Sequence, residues 1–147
     1  MIGIVVSGHI HFASGMESAV KAIAGEQEQM AFIDFIESMS TDELEIQLRQ
    51  AMKAVDTGDG VLFLTDIPGG SPSNRASAIL MDSDKVEQIS GVNLPMIANA
   101  AFEREDVTVN ELVEILLEIG SSCMQDMRKQ LEAAMEPESE LQCDDGI

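Results

Sequence analysis

His9 and His11 are the only histidines in this 147-residue chain. They follow a short apolar, β-branched run of Ile2, Ile4, Val5 and Val6, which reads as a strand buried on both faces. Ser7 and Gly8 are turn formers, so the pattern predicts that the strand stops there and hands His9 to a loop at the carboxyl edge of a sheet. In open α/β sheets that edge collects ligands and chemistry. Asp66 holds the equivalent place after a second apolar run, Val61–Thr65. A carboxylate beside an imidazole keeps one ring nitrogen protonated and leaves the other as a nucleophile or base. Gly69-Gly70-Ser71-Pro72 follows, with Ser71 suited to a helix N-cap and Pro72 to the first helical position. Glycines ahead of a helix start turn backbone N–H groups towards an anion such as phosphate. No Gly-Lys-Ser/Thr follows, so this is not a nucleotide-binding P-loop.

His11 raises a different possibility. A His-x-His pair after a strand resembles metal hydrolase sites, which need further ligands. The chain has no third histidine, and Asp66 would complete only three ligands. Neither a metal nor another cofactor is expected. With no Trp, no Tyr and five Phe, the chain also lacks the aromatics that sandwich a flavin or stack on bases.

The elements that must position these groups alternate along the chain. Ser14-x-x-Glu17 predicts a capped helix with Met16, Ala19, Val20 and Ile23 at helical spacing and Gly25 as its stop. Met30–Ile36 reads as a second strand with Asp34 inside it. Ser40 and Glu43 open a helix carrying Leu44, Leu48, Ala51 and Val55, which ends in the turn formers Asp56–Gly60. After the third strand, a helix is expected from about Pro72 to Leu80. Lys85–Ser90 follows as a short fourth strand, and Asn93 caps a helix ending near Phe102. Thr108-x-x-Glu111 begins what reads as the longest helix, with Leu112, Ile115, Leu116, Ile119, Cys123, Met127 and Leu131 on one stripe. Glu136-Pro137 ends it, leaving an acidic, disordered tail at 136–147 beyond a single domain at 1–135. This alternation predicts an α/β fold: one open, mainly parallel sheet with helices on both faces and right-handed crossovers. In a flavodoxin-like strand order, the first and third strands are neighbours and His9 meets Asp66.

Composition narrows the partners. Net charge is −19, from 27 acidic against 8 basic residues, a field that repels nucleic acid and anionic lipid. No apolar run approaches the ~20 residues needed to cross a bilayer. The chain starts on a strand without a basic leader, and its two cysteines suggest no disulfide framework; a reduced, cytoplasmic protein is expected. The ten methionines read as gap-filling core residues.

Five segments, Ile2-Gly-Ile-Val-Val-Ser-Gly-His9, Ala24-Gly-Glu-Gln-Glu28, Gly60-Val-Leu-Phe-Leu-Thr-Asp66, Gly69-Gly-Ser-Pro-Ser-Asn74 and Ile89-Ser-Gly-Val-Asn-Leu-Pro-Met96, together resemble the enzyme IIA component of the mannose family of the bacterial sugar phosphotransferase system. The resemblance runs from Met1 to about Arg128. It implies a phosphocarrier that receives a phosphoryl group from phospho-HPr and passes it to a IIB component, which serves the membrane IIC and IID proteins. His9 matches the phosphorylated histidine, Asp66 the aspartate that orients it, and Ser71 the serine at the phosphate-binding helix start beside Gly69 and Gly70. It also implies a homodimer with a short antiparallel strand exchanged between chains, part of it supplied by Lys85–Ser90.

The chain departs from that pattern where Ile10 replaces a usual glycine, Pro68 replaces a frequent aromatic, and His11 is added. An apolar rim of Ile10, Phe12, Ile67 and Pro68, with Arg75 nearby, is the expected docking surface. The rival from another class is a non-catalytic regulatory or binding domain of the same fold, such as a receiver. A receiver needs an acidic pair after the first strand, where this chain has Ser7-Gly8-His9.

Overall fold

The computed structural model describes residues 1–136, so the acidic tail expected from 136 onward lies, Glu136 apart, outside the described residues. The first apolar run becomes β1 (Gly3–His9), the inner strand of a sheet ordered β2-β1-β3-β4, with β2 at Met30–Phe35, β3 at Val61–Thr65 and β4 at Val86–Ser90. All three pairings are parallel. The helices are α1 (Phe12–Ala24), α2 (Thr41–Val55), α3 (Ser71–Met81), α4 (Leu94–Glu103), α5 (Val109–Ser122) and α6 (Met127–Ala134).

Alternation along the strands divides the core in two. Ile4, Val6, Leu62, Leu64 and Ile89 pack with residues of α1, α4 and α5 on one face. Val5, Val61, Phe63 and Val86 pack with Leu44, Leu48 and Val55 of α2 and Ala76 and Ile79 of α3 on the other. Each such fully buried aliphatic or aromatic side chain contributes about 1.5–3 kcal/mol of transfer free energy. The sheet is therefore held from both sides, and its carboxyl edge is fixed by the two inner strands that carry His9 and Asp66. Its opposite end is tied by Arg104, only 2% exposed. The Arg104 guanidinium donates to the carbonyls of Gln29 at 2.9 Å and Glu28 at 2.6 Å, just ahead of β2. Burial pushes that guanidinium below its ordinary pKa.

Four expectations about the elements are corrected. Strand β1 does not stop at Ser7-Gly8. It runs on to His9, opposite Phe35 of β2, because the Ser7 hydroxyl finds the Ile33 carbonyl at 2.9 Å. Gly8 is in the strand for lack of space: a Cβ there would lie 2.5 Å from Phe12 Cδ2. The reversal falls at Ile10, whose φ of 55° is left-handed backbone in a β-branched residue.

Helix α1 starts at Phe12 without the Ser14–Glu17 capping box. Asp34 of β2 instead accepts the Ser14 N–H at 2.9 Å, so an acceptor from a neighbouring strand replaces the local one.

The long helix predicted through Leu131 is broken. α5 ends at Ser122 after the weak helix formers Gly120-Ser121-Ser122, and Asp126 caps a separate α6 through the Arg128 and Lys129 N–H groups. Cys123 is consequently exposed rather than on a buried stripe. α2, at 15 residues, is the longest helix among the described residues.

Strand β4 begins at Val86 and runs parallel to β3 in its own chain, so Lys85–Ser90 does not supply an antiparallel segment. The methionines divide: Met96 is buried and Met16, Met30, Met39 and Met52 pack against the two cores as expected, whereas Met81, Met124, Met127 and Met135 are exposed.

Candidate phosphoryl-transfer site

Parallel pairing of β1 with β3 places Ser7 opposite Thr65, so the two strands end level and the next residues project from one edge. Asp66 Oδ2 lies 2.9 Å from His9 Nδ1 and accepts the His9 backbone N–H at 2.8 Å. Asp66 Oδ1 accepts the Ile67 N–H at 2.8 Å. The carboxylate is thus held by two backbone donors while it faces the ring. The side chain of Asp66 is 10% exposed and that of His9 41%. With Nδ1 turned inward as a donor, Nε2 is the nitrogen left with a lone pair. The Phe35 ring stands edge-on to the imidazole, with centroids 5.9 Å apart, and limits its rotation.

The other side of the ring meets the start of α3. Gly70 is the N-cap and Ser71 the first helical residue, one position earlier than the sequence predicts. A Cβ on Gly70 would lie 2.7 Å from His9 Cε1 and 3.4 Å from Nε2, so only glycine lets the ring approach. The Gly70 N–H is already donated to the Ile67 carbonyl at 3.2 Å. The Ser71 and Ser73 N–H groups have no acceptor among the described residues. The other helices each have a side-chain acceptor at the first turn: Asp34 for α1, Ser40 for α2, Asn93 for α4, Thr108 for α5 and Asp126 for α6. Among the described residues, helix α3 alone leaves its positive end without a side-chain acceptor, and that end lies beside His9 Nε2.

The second histidine does not join this site through a shared ligand. His11 Nδ1 lies 3.6 Å from Asp34 Oδ2, and its side chain is 77% exposed. Among the described residues, no three His, Cys, Asp or Glu side chains gather where they could hold a metal ion.

Around His9, Ile10, Ile67 and Pro68 are exposed as the rim required, while Phe12 is half-buried against the core. Arg75 is directed elsewhere. Its guanidinium donates to Glu45 at 3.0 Å and Thr41 at 2.8 Å and pairs with Asp42 at 3.2 Å, all on α2. Hydrogen bonds from Arg75 and then Arg49 hold the Glu45 carboxyl below its usual range. Sequence reasoning overlooked Asp34 and Phe35 as neighbours of the two histidines. The signal present was their place at the end of the second strand, level with His9.

Comparison with known proteins identifies the family and the fold. The family model described as EIIA-man, PTS system fructose IIA component, matches residues 3–117. The mannose-specific EIIAB component of Escherichia coli K12 is 37% identical over 120 residues, covering 81% of this chain. The chain spans only 37% of that relative's length. The fructose-specific EIIA component of Bacillus subtilis is 28% identical over 132 residues, 90% of each protein. Among solved structures, a phosphotransferase system EIIA component from Streptococcus agalactiae superposes with a TM-score of 0.82 at 30% identity, covering 88% of this chain and 99% of that one. A family model spanning most of the chain, met by a histidine–aspartate pair and an open helix start on the expected fold, shows that this chain belongs to the EIIA-man family of phosphotransferase system IIA components.

Proposed function

We propose that the chain is a phosphocarrier in which His9 Nε2 accepts a phosphoryl group from phospho-HPr and passes it to a IIB component. The observation that carries this reading is the 2.9 Å contact of His9 Nδ1 with Asp66, which leaves Nε2 facing the open start of α3. In the transfer, the donor's phosphorus–nitrogen bond breaks and its imidazole recovers the electron pair. The Nε2 lone pair forms the new bond, and the Nδ1 proton stays with His9, directed at Asp66. Charge on the phosphoryl oxygens is then met by the Ser71 and Ser73 N–H groups and by the Ser71 hydroxyl. The barrier is lowered by positioning and fixed dipoles. Gly69 and Gly70 provide the room, and neither a metal nor another cofactor enters the step.

The IIB component would pass the group on to a mannose-type sugar entering through IIC and IID proteins, with His9 working from the cytoplasmic side. Consistent with that placement, no helix among the described residues is long and apolar enough to cross a membrane. Nucleic acid has no place in this scheme, given a net charge of −19.

The working form is a homodimer. Met127 and Leu131 of α6 and Met135 at its C-cap line up at helical spacing, and all are exposed. α6 contains no buried residue, so its apolar stripe needs a second copy to cover it.

The test is mass spectrometry after incubation with phosphoenolpyruvate, enzyme I and HPr. One added phosphoryl group, labile in acid and stable in base, is expected on the wild type and not on His9→Ala. An unlabelled wild type would favour a regulatory or binding domain.

A further inference from the structure

Asn74 belongs to the Gly69-Gly-Ser-Pro-Ser-Asn74 segment, yet neither the nucleophile, its orienting carboxylate nor the free N–H groups account for it. Its side-chain Nδ2 donates to the Gly69 carbonyl at 3.1 Å. Its own backbone N–H donates to the Gly70 carbonyl at 2.8 Å. One residue, a full turn into α3, thereby engages the carbonyls of both glycines. Gly69 sits at φ +86°, in left-handed backbone with open space where a Cβ would be. Its carbonyl shares a planar peptide with the Gly70 N–H, which donates to the Ile67 carbonyl at 3.2 Å. The Asn74 side chain therefore makes the second of two bonds that set the direction of this carbonyl, and the only one to the carbonyl oxygen itself among the described residues.

We infer that Asn74 is a positioning residue for phosphoryl transfer: it holds the Gly69 carbonyl away from the anion, so that the loop presents only donors to the phosphoryl group on His9. A carbonyl dipole turned towards that group would oppose the field of the α3 N-terminus and repel the oxygens that Ser71 and Ser73 attract. The backbone bond to Gly70 survives any substitution short of proline. The Gly69 bond does not, which separates the role of the side chain from that of the helix. The inference rests on the phosphocarrier reading, and the test keeps the two apart.

Two measurements on the full chain decide it. In the first, wild type, Asn74→Ala and Asn74→Asp are phosphorylated with phosphoenolpyruvate, enzyme I and HPr, and the lifetime of each phosphoprotein is followed. Loss of one hydrogen bond predicts a kcat reduced by up to about tenfold in Asn74→Ala, with KM for phospho-HPr held within roughly twofold. The phosphohistidine should hydrolyse several-fold faster, and Asn74→Asp, which brings a carboxylate to the site, should be worse in both. In the second, inorganic phosphate is titrated onto isotopically labelled, unphosphorylated protein while the Ser71 and Ser73 amide resonances are read. The wild type should show saturable shifts that weaken in both variants.

A merely structural Asn74 would move the melting temperature and leave phosphohistidine lifetime and phosphate affinity alone; that result overturns the inference. A wild type that takes no phosphoryl group but binds phosphate more tightly than Asn74→Ala would end the carrier reading and uphold the positioning role. Equal phosphate binding in all three proteins would overturn the role, whatever the labelling shows.

Discussion

Asp66 Oδ2 touches His9 twice, at the ring Nδ1 (2.9 Å) and at the backbone nitrogen (2.8 Å). The double contact fixes ring and chain together, so the tautomer and the direction of Nε2 are set by one oxygen.

Asp66→Asn should therefore keep the fold and slow phosphorylation of His9. The amide can still accept one backbone N–H but no longer favours a proton on Nδ1 or stabilises positive charge on the ring. A hydrogen bond to a charged group is worth about 1.5–3 kcal/mol, or roughly 10- to 150-fold in rate. Rapid-quench measurement with phospho-HPr checks this, and an unchanged rate would reduce Asp66 to a turn residue.

The two histidines should separate cleanly. His9→Ala is expected to abolish labelling, while His11→Ala retains one phosphoryl group per chain and at most alters docking. His11 is 77% exposed beside Asp34, and a second dianion would compete for the same N–H donors. Peptide mapping of the phosphorylated protein decides the point. Phosphate on His11 would leave the family intact and remove His9 as the acceptor.

Ile10→Gly should stabilise the protein. The left-handed φ of 55° costs a side-chain-bearing residue about 1–2 kcal/mol, against about 0.5–1 kcal/mol for the extra entropy of glycine in the unfolded chain. The net gain of about 0.5–1 kcal/mol corresponds to a rise of a few degrees in Tm, measurable by calorimetry. No gain would mean that the half-exposed Ile10 side chain makes compensating contacts.

Light scattering at micromolar concentration should give twice the chain mass, and Leu131→Glu should return the monomer by placing a charge in the α6 stripe. A wild-type monomer would leave that stripe without its proposed cover.

The amino-acid sequence by itself determined what local chemistry can specify. Apolar runs at Ile4–Val6 and Val61–Leu64 announce buried parallel strands whatever lies beside them. The Ser40–Glu43 and Thr108–Glu111 boxes cap their own helices within four residues, and they form as read. The identities of His9 and Asp66 were legible because each follows such a strand. What depended on distant partners was decided only by the tertiary structure. β1 extends to His9 because β2 lies alongside, with the Ile10 N–H donating to the Phe35 carbonyl at 2.8 Å. Asp34 caps α1 from another strand, displacing the local capping box. Arg75 turns from the site because three side chains of α2 reach it first. Gly70 meets the ring of His9, and Asn74 reaches back to the Gly69 carbonyl, only once the loop and α3 are folded together. Periodicity reports which face of an element is apolar; which neighbour meets that face, and where a chain turns, follows from packing between residues far apart in sequence.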